Sequence, residues 1–488
     1  MKTKLSVAGV IALVLVLSVT SMGLAQGDTR TSTFQVQNLS SSSDAHVNIT
    51  YYKQDGTLDA GDGTHGNPAA DTIAASASKT YNPVWASTGF NGSVVVASDA
   101  EVAVIANLVL SPRGDTNANA LGSYVGFKQG ASKLYFPLIM KGNNGNDTDF
   151  NIQNAGTGSV DVDLVFTPQT TTPAGGTAFT VQDTIPVGAA HSYNQATMSQ
   201  LSGYTKWIGS VVAKVRTTTP SGLIAGVANQ VNSNTAAYAN KNLLTYNAFT
   251  DGSTEVYAPL VMQANSNNRT SINCQNIDET LATNLTLELE AGATGVDTTP
   301  KTNVQPGAAA GWVQTYDGTK YVGSAKVKSS NTAKIVCVIN QTNQVKKTAS
   351  AYEGFDPTKA TNTIVAPLIM SRNGNDSKGY AYTSINVATA DGSTATFVVN
   401  YTANGVTAAG CPTTPPSSYT SSSAKSSDQI NQSAGVYSGA QATCQYVGGV
   451  TITTVEGKLI VAIINQSRST GTTSAIKDVL TTYDGFNQ

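Results

Sequence analysis

A Tyr-x-x-Phe signature closes four successive stretches of this chain, at Tyr124–Phe127, Tyr246–Phe249, Tyr352–Phe355 and Tyr483–Phe486. Twelve to eighteen residues before each lies the Asn that closes an apolar strand-like segment: VAVIAN to Asn107, IAGVANQ with Asn229, IVCVINQ with Asn340 and IVAIINQ with Asn465. Ahead of each comes a segment opening on Gly92-Ser93, Gly209-Ser210, Gly323-Ser324 or Gly448-Gly449. A chain that repeats itself at such intervals is read as several copies of one structural unit, each closing its own apolar face.

Earlier in the units the text recurs as FQVQN (34–38), FNIQN (150–154) and INCQN (272–276), with a worn copy, INVAT, at 385–389. A strictly alternating segment follows each. Val47, Ile49 and Tyr51 alternate in the first unit, and Val160, Val162, Leu164 and Phe166 in the second. The third has Leu285, Leu287 and Leu289, and the fourth Phe397, Val399 and Tyr401. Period-2 alternation puts every second side chain on one face, so one face is buried and the other wet. Helical periodicity is absent outside the N-terminus. The expected fold is all-β: four tandem antiparallel β-sandwich, Ig-like units over 26–128, 129–250, 251–356 and 357–488.

Residues 1–25 are set apart. Lys2 and Lys4 precede the apolar run Val7–Val19, and Gly23 to Ala25 supplies small residues at a cleavage point, the pattern of an export signal. The run is short of the roughly 20 apolar residues a membrane span needs, and no second run follows. The mature chain is expected to start at Gln26 and to be secreted, with no membrane span. Only 12% of residues are charged, with net charge −2, so nothing points to nucleic acid or an anionic membrane. In an exported chain four cysteines are read as two disulfides. Aligned by the repeat, Cys274 and Cys337 replace inward-facing residues of the early and late strands. They are expected to pin two sheets together through the core. Cys411 and Cys444 then pair by exclusion.

Units two to four begin with FPLIM (136–140), APLVM (258–262) and APLIM (366–370), and unit one has no counterpart after the cleavage point. Two expectations follow: an open edge completed by another subunit, or a shortened capping repeat whose edge its own chain covers.

No catalytic constellation emerges. His46, His65 and His191 stand far apart, and neither a Gly-x-Ser-x-Gly elbow nor a phosphate loop occurs, so the chain is read as non-enzymatic. Asn144, Asn146, Asp147 and Asp149 form an oxygen-rich loop of the kind that suits calcium and equally suits a plain turn. Arg113-Gly114-Asp115 is an integrin-type tripeptide or simply turn chemistry. N-x-S/T sequons occur at Asn48, Asn91, Asn146, Asn284 and Asn400, with Asn340 and Asn465 expected to be partly buried at strand ends. Trp85, Trp207 and Trp312 recur at similar places, as core packing or as a glycan platform.

Together the P-L-I/V-M strand, the Q-N strand end, the I-x-N-Q strand and the terminal Y-x-G-F resemble tandem β-sandwich repeats of secreted surface proteins from filamentous green bacteria. The resemblance implies a cell-surface or matrix location and carries over no catalytic residues. The function expected is a structural subunit of a surface layer, sheath or filament, with rigid repeats in series. Its partners would be further copies of itself or other cell-surface proteins. The alternative is an adhesin or carbohydrate-binding protein that takes glycans on its loops.

Overall fold

The computed structural model describes residues 10–14, 29–111, 120–169, 176–232, 242–289, 295–376, 379–406, 408–468 and 480–487. Among them there is no α-helix, and every strand pairing is antiparallel. Eight sheets form, two from each sequence unit. In unit two, one sheet runs in the order Phe179–Ile185, Val160–Pro168, Trp207–Val215, Lys133–Lys141. These are an outer strand, the alternating strand, the Gly-led strand and the first strand, which carries P-L-I/V-M. The other sheet runs Ala190–Asn194, Asn146–Asn154, Ile224–Asn232, Leu243–Asn247. Here an outer strand is followed by the early, the late and the terminal strand. Unit three repeats this order strand for strand, and unit four adds short edge strands to it.

The alternation seen in the sequence becomes burial. Val160, Val162, Leu164 and Phe166 are fully buried while the residues between them are half-exposed. Each such side chain stabilises the fold by about 1.5–3 kcal/mol. Trp207 and Trp312 are buried in the clusters of units two and three, which places both in the core. Trp85 is half-buried, with His65 stacked on it at 3.8 Å.

Each first strand is interrupted at its Pro-Leu. Pairing with the Gly-led strand slips between Gly209 and Val211, between Ala258 and Val261, and between Ala366 and Ile369. Proline has no N–H for the ladder, so a bulge is where a strand tolerates it. The bulge turns the following leucine carbonyl toward the terminal strand. Tyr246 donates to Leu138 O at 2.9 Å, Tyr352 to Leu260 O at 2.6 Å and Tyr483 to Leu368 O at 2.6 Å. The P-L-I/V-M strand and the Tyr of the terminal signature are thus halves of one contact.

Three expectations change. The units are not strung out in series. The terminal strands Ala120–Val125, Leu243–Asn247, Ala349–Glu353 and Thr481–Asp484 touch one another in cyclic order, and the fourth touches the first. The sheet pairs therefore close a ring about a common axis. Their apolar clusters interlock there: Leu243 belongs to the cluster of unit one, Val338 to that of unit two, Ile463 to that of unit three and Ile105 to that of unit four.

Second, Cys274 and Cys337 form a disulfide within one sheet rather than between two. The early and late strands of unit three are hydrogen-bonded neighbours, and the cysteines stand directly opposite, with Cα atoms 4.0 Å apart. Directly opposed residues share a face, so inward orientation does not distinguish a cross-strand bond from an inter-sheet one. Cys411 is bonded to Cys444, with Cα atoms 5.5 Å apart.

Third, of the two alternatives for the edge of unit one, the structure has it covered by its own chain, and by a segment that the sequence set apart from the fold. Residues Val10–Val14, inside the segment expected to be removed on export, form a strand antiparallel to Gly92–Ser98.

Candidate functional site

The ring is closed by amides that the sequence seemed to use only as strand ends. The late strands of units two, three and four carry consecutive Asn and Gln, all buried. Gln230 donates to Asn340 Oδ1 at 3.1 Å and accepts from Asn340 Nδ2 at 2.8 Å. Gln341 and Asn465 repeat the exchange at 3.3 and 3.4 Å. Gln466 then reaches Asn107 Oδ1 at 3.2 Å. A primary amide both donates and accepts, so two of them facing each other satisfy themselves without water.

The seam between units one and two is made differently. Leu108 follows Asn107, where the other units have Gln, and it packs in the apolar cluster that contains Leu243. A Cβ at Gly122 would collide with the side chains of Thr245 and Leu243, so side chains of one terminal strand rest directly on the backbone of the other. Beside them Arg30 forks onto Asp149, with Nη1–Oδ1 at 3.1 Å and Nη2–Oδ2 at 2.6 Å, their side chains only 3% and 7% exposed. Asn229 donates to the same carboxylate at 2.9 Å.

The x position of the terminal signature, occupied by Val125, Asn247, Glu353 and Asp484, comes together at the axis. Asn247 donates through Nδ2 to Val125 O at 2.8 Å and through its backbone N–H to Glu353 Oε1. Glu353 and Asp484 share a side-chain hydrogen bond. Burial lifts both carboxyls above the usual carboxylate range, and for Asp484 the charge of Glu353 adds to it. Two carboxyls placed together on half-buried residues disfavour joint ionisation, so the pair favours sharing a proton. The chemistry available at the axis is proton retention.

The residues suggested for calcium do not converge. Asn143 and Asn146 exchange backbone hydrogen bonds at 3.0 Å across a two-residue turn, with Asn144 and Gly145 at φ 52° and 79°. This is the hairpin chemistry that favours Asn-Gly. Asp147 accepts from Gly142 N at 2.8 Å, and Asp149 is taken by Arg30. Among the described residues no three His, Cys, Asp or Glu gather as a metal would require. Each histidine sits 2.8 Å from one carboxylate: His46 on Asp99, His65 on Asp62 and His191 on Asp183. Arg113, Gly114 and Asp115 lie outside the described residues. Asn340 and Asn465 are buried in the amide pairs.

Two surface grooves lie at equivalent seams. One, of about 330 Å³, is lined by Lys133, Tyr135, Lys214 and Glu279; the other, of about 490 Å³, by Glu255, Lys326, Asp391 and Lys458. Their charges are largely paired internally, as in Lys133–Glu279 and Lys326–Glu255.

Sequence reasoning passed over Arg30, the Asn-Gln pairs, the acid pair and the tyrosine hydroxyls. The usable signal was two adjacent amides inside strongly apolar strands, since a buried amide needs a partner.

No family model and no curated protein matches the chain. Among solved structures, the crystal structure of Thermotoga maritima 1070 aligns with 25% of this chain and 94% of its own length, at 14% identity and a TM-score of 0.19.

Proposed function

We propose that the chain is an extracellular structural protein: four Ig-like sandwich units, exported behind a cleaved signal peptide, forming a block-like subunit of a cell-surface layer, sheath or filament. One observation carries this reading, the closure of the four sheet pairs into a ring by buried reciprocal amides and an enclosed ion pair. Such a centre fixes the units relative to one another and spends its polar groups on rigidity. Two disulfides fit an oxidising, extracellular compartment. A surface with few charges and a net charge of −2 lets copies approach closely. No helix of the described residues is long and apolar enough to cross a membrane. The resemblance to repeats of secreted surface proteins from filamentous green bacteria agrees with this assignment. A ring supports tiling or stacking rather than the spanning of distance by a rod.

Electron microscopy of the purified mature protein at high concentration tests the proposal. Ordered sheets, tubes or filaments are expected. Dispersed single particles at every concentration, together with selective binding on a glycan array, would favour the adhesin alternative.

A further inference from the structure

In units two to four the first strand occupies a slot of one strand's width. On one side it pairs with the Gly-led strand. On the other it is capped by the Phe of the terminal signature: Tyr135 exchanges backbone hydrogen bonds with Phe249 at 2.8 and 3.0 Å, Tyr257 does so with Phe355 at 2.8 and 2.9 Å, and Val365 pairs with Phe486. Unit one offers the same slot beside Gly92–Ser98, and Val10–Val14 lies in it in the repeat's own register. Leu13 stands opposite Val95, as Tyr135 stands opposite Val212, Tyr257 opposite Lys326 and Val365 opposite Thr451.

The described pairing runs to Val14, the position of Phe136, Ala258 and Ala366, where the first strands of the other units enter their bulge. Tyr124, 2% exposed, is the counterpart of Tyr246, Tyr352 and Tyr483, each of which donates to a bulge carbonyl. Its hydroxyl has no hydrogen-bond partner. A buried hydroxyl without a partner is costly, and in the other three units the equivalent hydroxyl is satisfied by a carbonyl of the first strand.

We propose that this edge of unit one is an acceptor for a strand delivered by another protein, with the leader as its temporary occupant until export removes it. The inference rests on the assembly function proposed above. The donor is a partner chain presenting a free extended tail, apolar at alternate positions, uncharged at its centre and bulged at a Pro-Leu-like step. A second copy of this chain is a poorer donor. Beyond the leader the sequence carries three first strands for four slots, so exchange between copies only moves the deficit. Strand addition of this kind draws its affinity from backbone hydrogen bonds and its specificity from alternate side-chain sites.

The test uses residues 26–488 and a synthetic peptide, KLYFPLIMK, which is the sequence of Lys133–Lys141. Saturable one-to-one binding is expected, with slowed hydrogen exchange at Val94–Ser98 and no binding of a scrambled peptide. Tyr124→Phe is expected to bind roughly fivefold more weakly, the value of about one hydrogen bond. A variant with the same nine residues fused ahead of Gln26 through a flexible linker is expected to ignore added peptide. Ala45–Lys53 pairs with the other side of Gly92–Ser98, so the readout is the amides of Val94–Ser98 that face the slot: their protection in the free mature chain would overturn the proposal, through internal cover if monomeric and through self-pairing if concentration-dependent. Equal binding of the scrambled peptide would overturn it too. Ordered arrays without peptide binding would leave the structural function standing and remove only this inference; peptide binding without arrays would do the reverse.

Discussion

Replacing Arg30 with Met removes the cation that holds the first seam and leaves Asp149 enclosed. The carboxylate loses contacts at 3.1 and 2.6 Å and keeps the Asn229 amide at 2.9 Å. With both side chains nearly inaccessible, water cannot replace the guanidinium. Breaking one side of a buried ion pair costs about 3–5 kcal/mol; the remaining amide donor places this case near 3. Removing both charges is a different matter. Arg30→Met with Asp149→Leu leaves no unpaired charge, and such double replacements are often neutral or stabilising. The cycle therefore yields a coupling of at least about 2 kcal/mol, read from chemical denaturation and from hydrogen exchange in Asn146–Asn154 and Ile224–Asn232. A single substitution that costs less than about 1 kcal/mol, with exchange unchanged on both strands, would mean that the seam is open in solution. The argument for ring closure would then fail at its strongest contact.

Gln230→Ala strips Asn340 of both hydrogen bonds to that amide and is expected to cost about 1–3 kcal/mol. Joint replacement of Gln230 and Asn340 by Leu recovers most of this in thermal melts. Because Asp484 and Glu353 have raised folded-state pKa values, the folded chain binds more protons than the unfolded one above about pH 4. Their contribution to stability falls as pH rises, so Asp484→Asn should flatten the decline of melting temperature between pH 5 and 9, which a pH series of melts checks. The two disulfides close loops of 63 and 33 residues, and each stabilises by about 4 kcal/mol in the chain-entropy estimate. Cys274–Cys337 is fully buried, whereas Cys411 is half-buried. Mild reductant followed by thiol labelling should therefore mark Cys411 and Cys444 first.

The strands and their inward faces were legible because period-2 alternation is a local signal. Val160 through Phe166 announces its buried face without reference to any other segment. What failed was long-range. Asn340 and Gln341 look like the polar end of a strand until Gln230 and Asn465 are brought beside them, and no sequence window contains both sides. The cysteines of unit three were correctly turned inward, but neighbours in one sheet and partners across two sheets give the same alternation. Residues 1–25 were set aside on their composition, yet valine and leucine runs that suit a membrane also suit a strand. Only the repeat's register, with Leu13 in the place of Tyr135, distinguishes the two uses. Asp149 looked like a calcium ligand because its neighbours are turn-forming amides; its real partner lies 119 residues away.

Small-angle scattering on monomeric residues 26–488 bears most directly on the ring. A compact body of this size has a radius of gyration of about 23 Å. Four units in series, each about 35 Å long given nine- or ten-residue strands, would give about 40 Å. The account predicts the smaller value with a single-peaked distance distribution; a value near the larger one, with a long tail of distances, would contradict it.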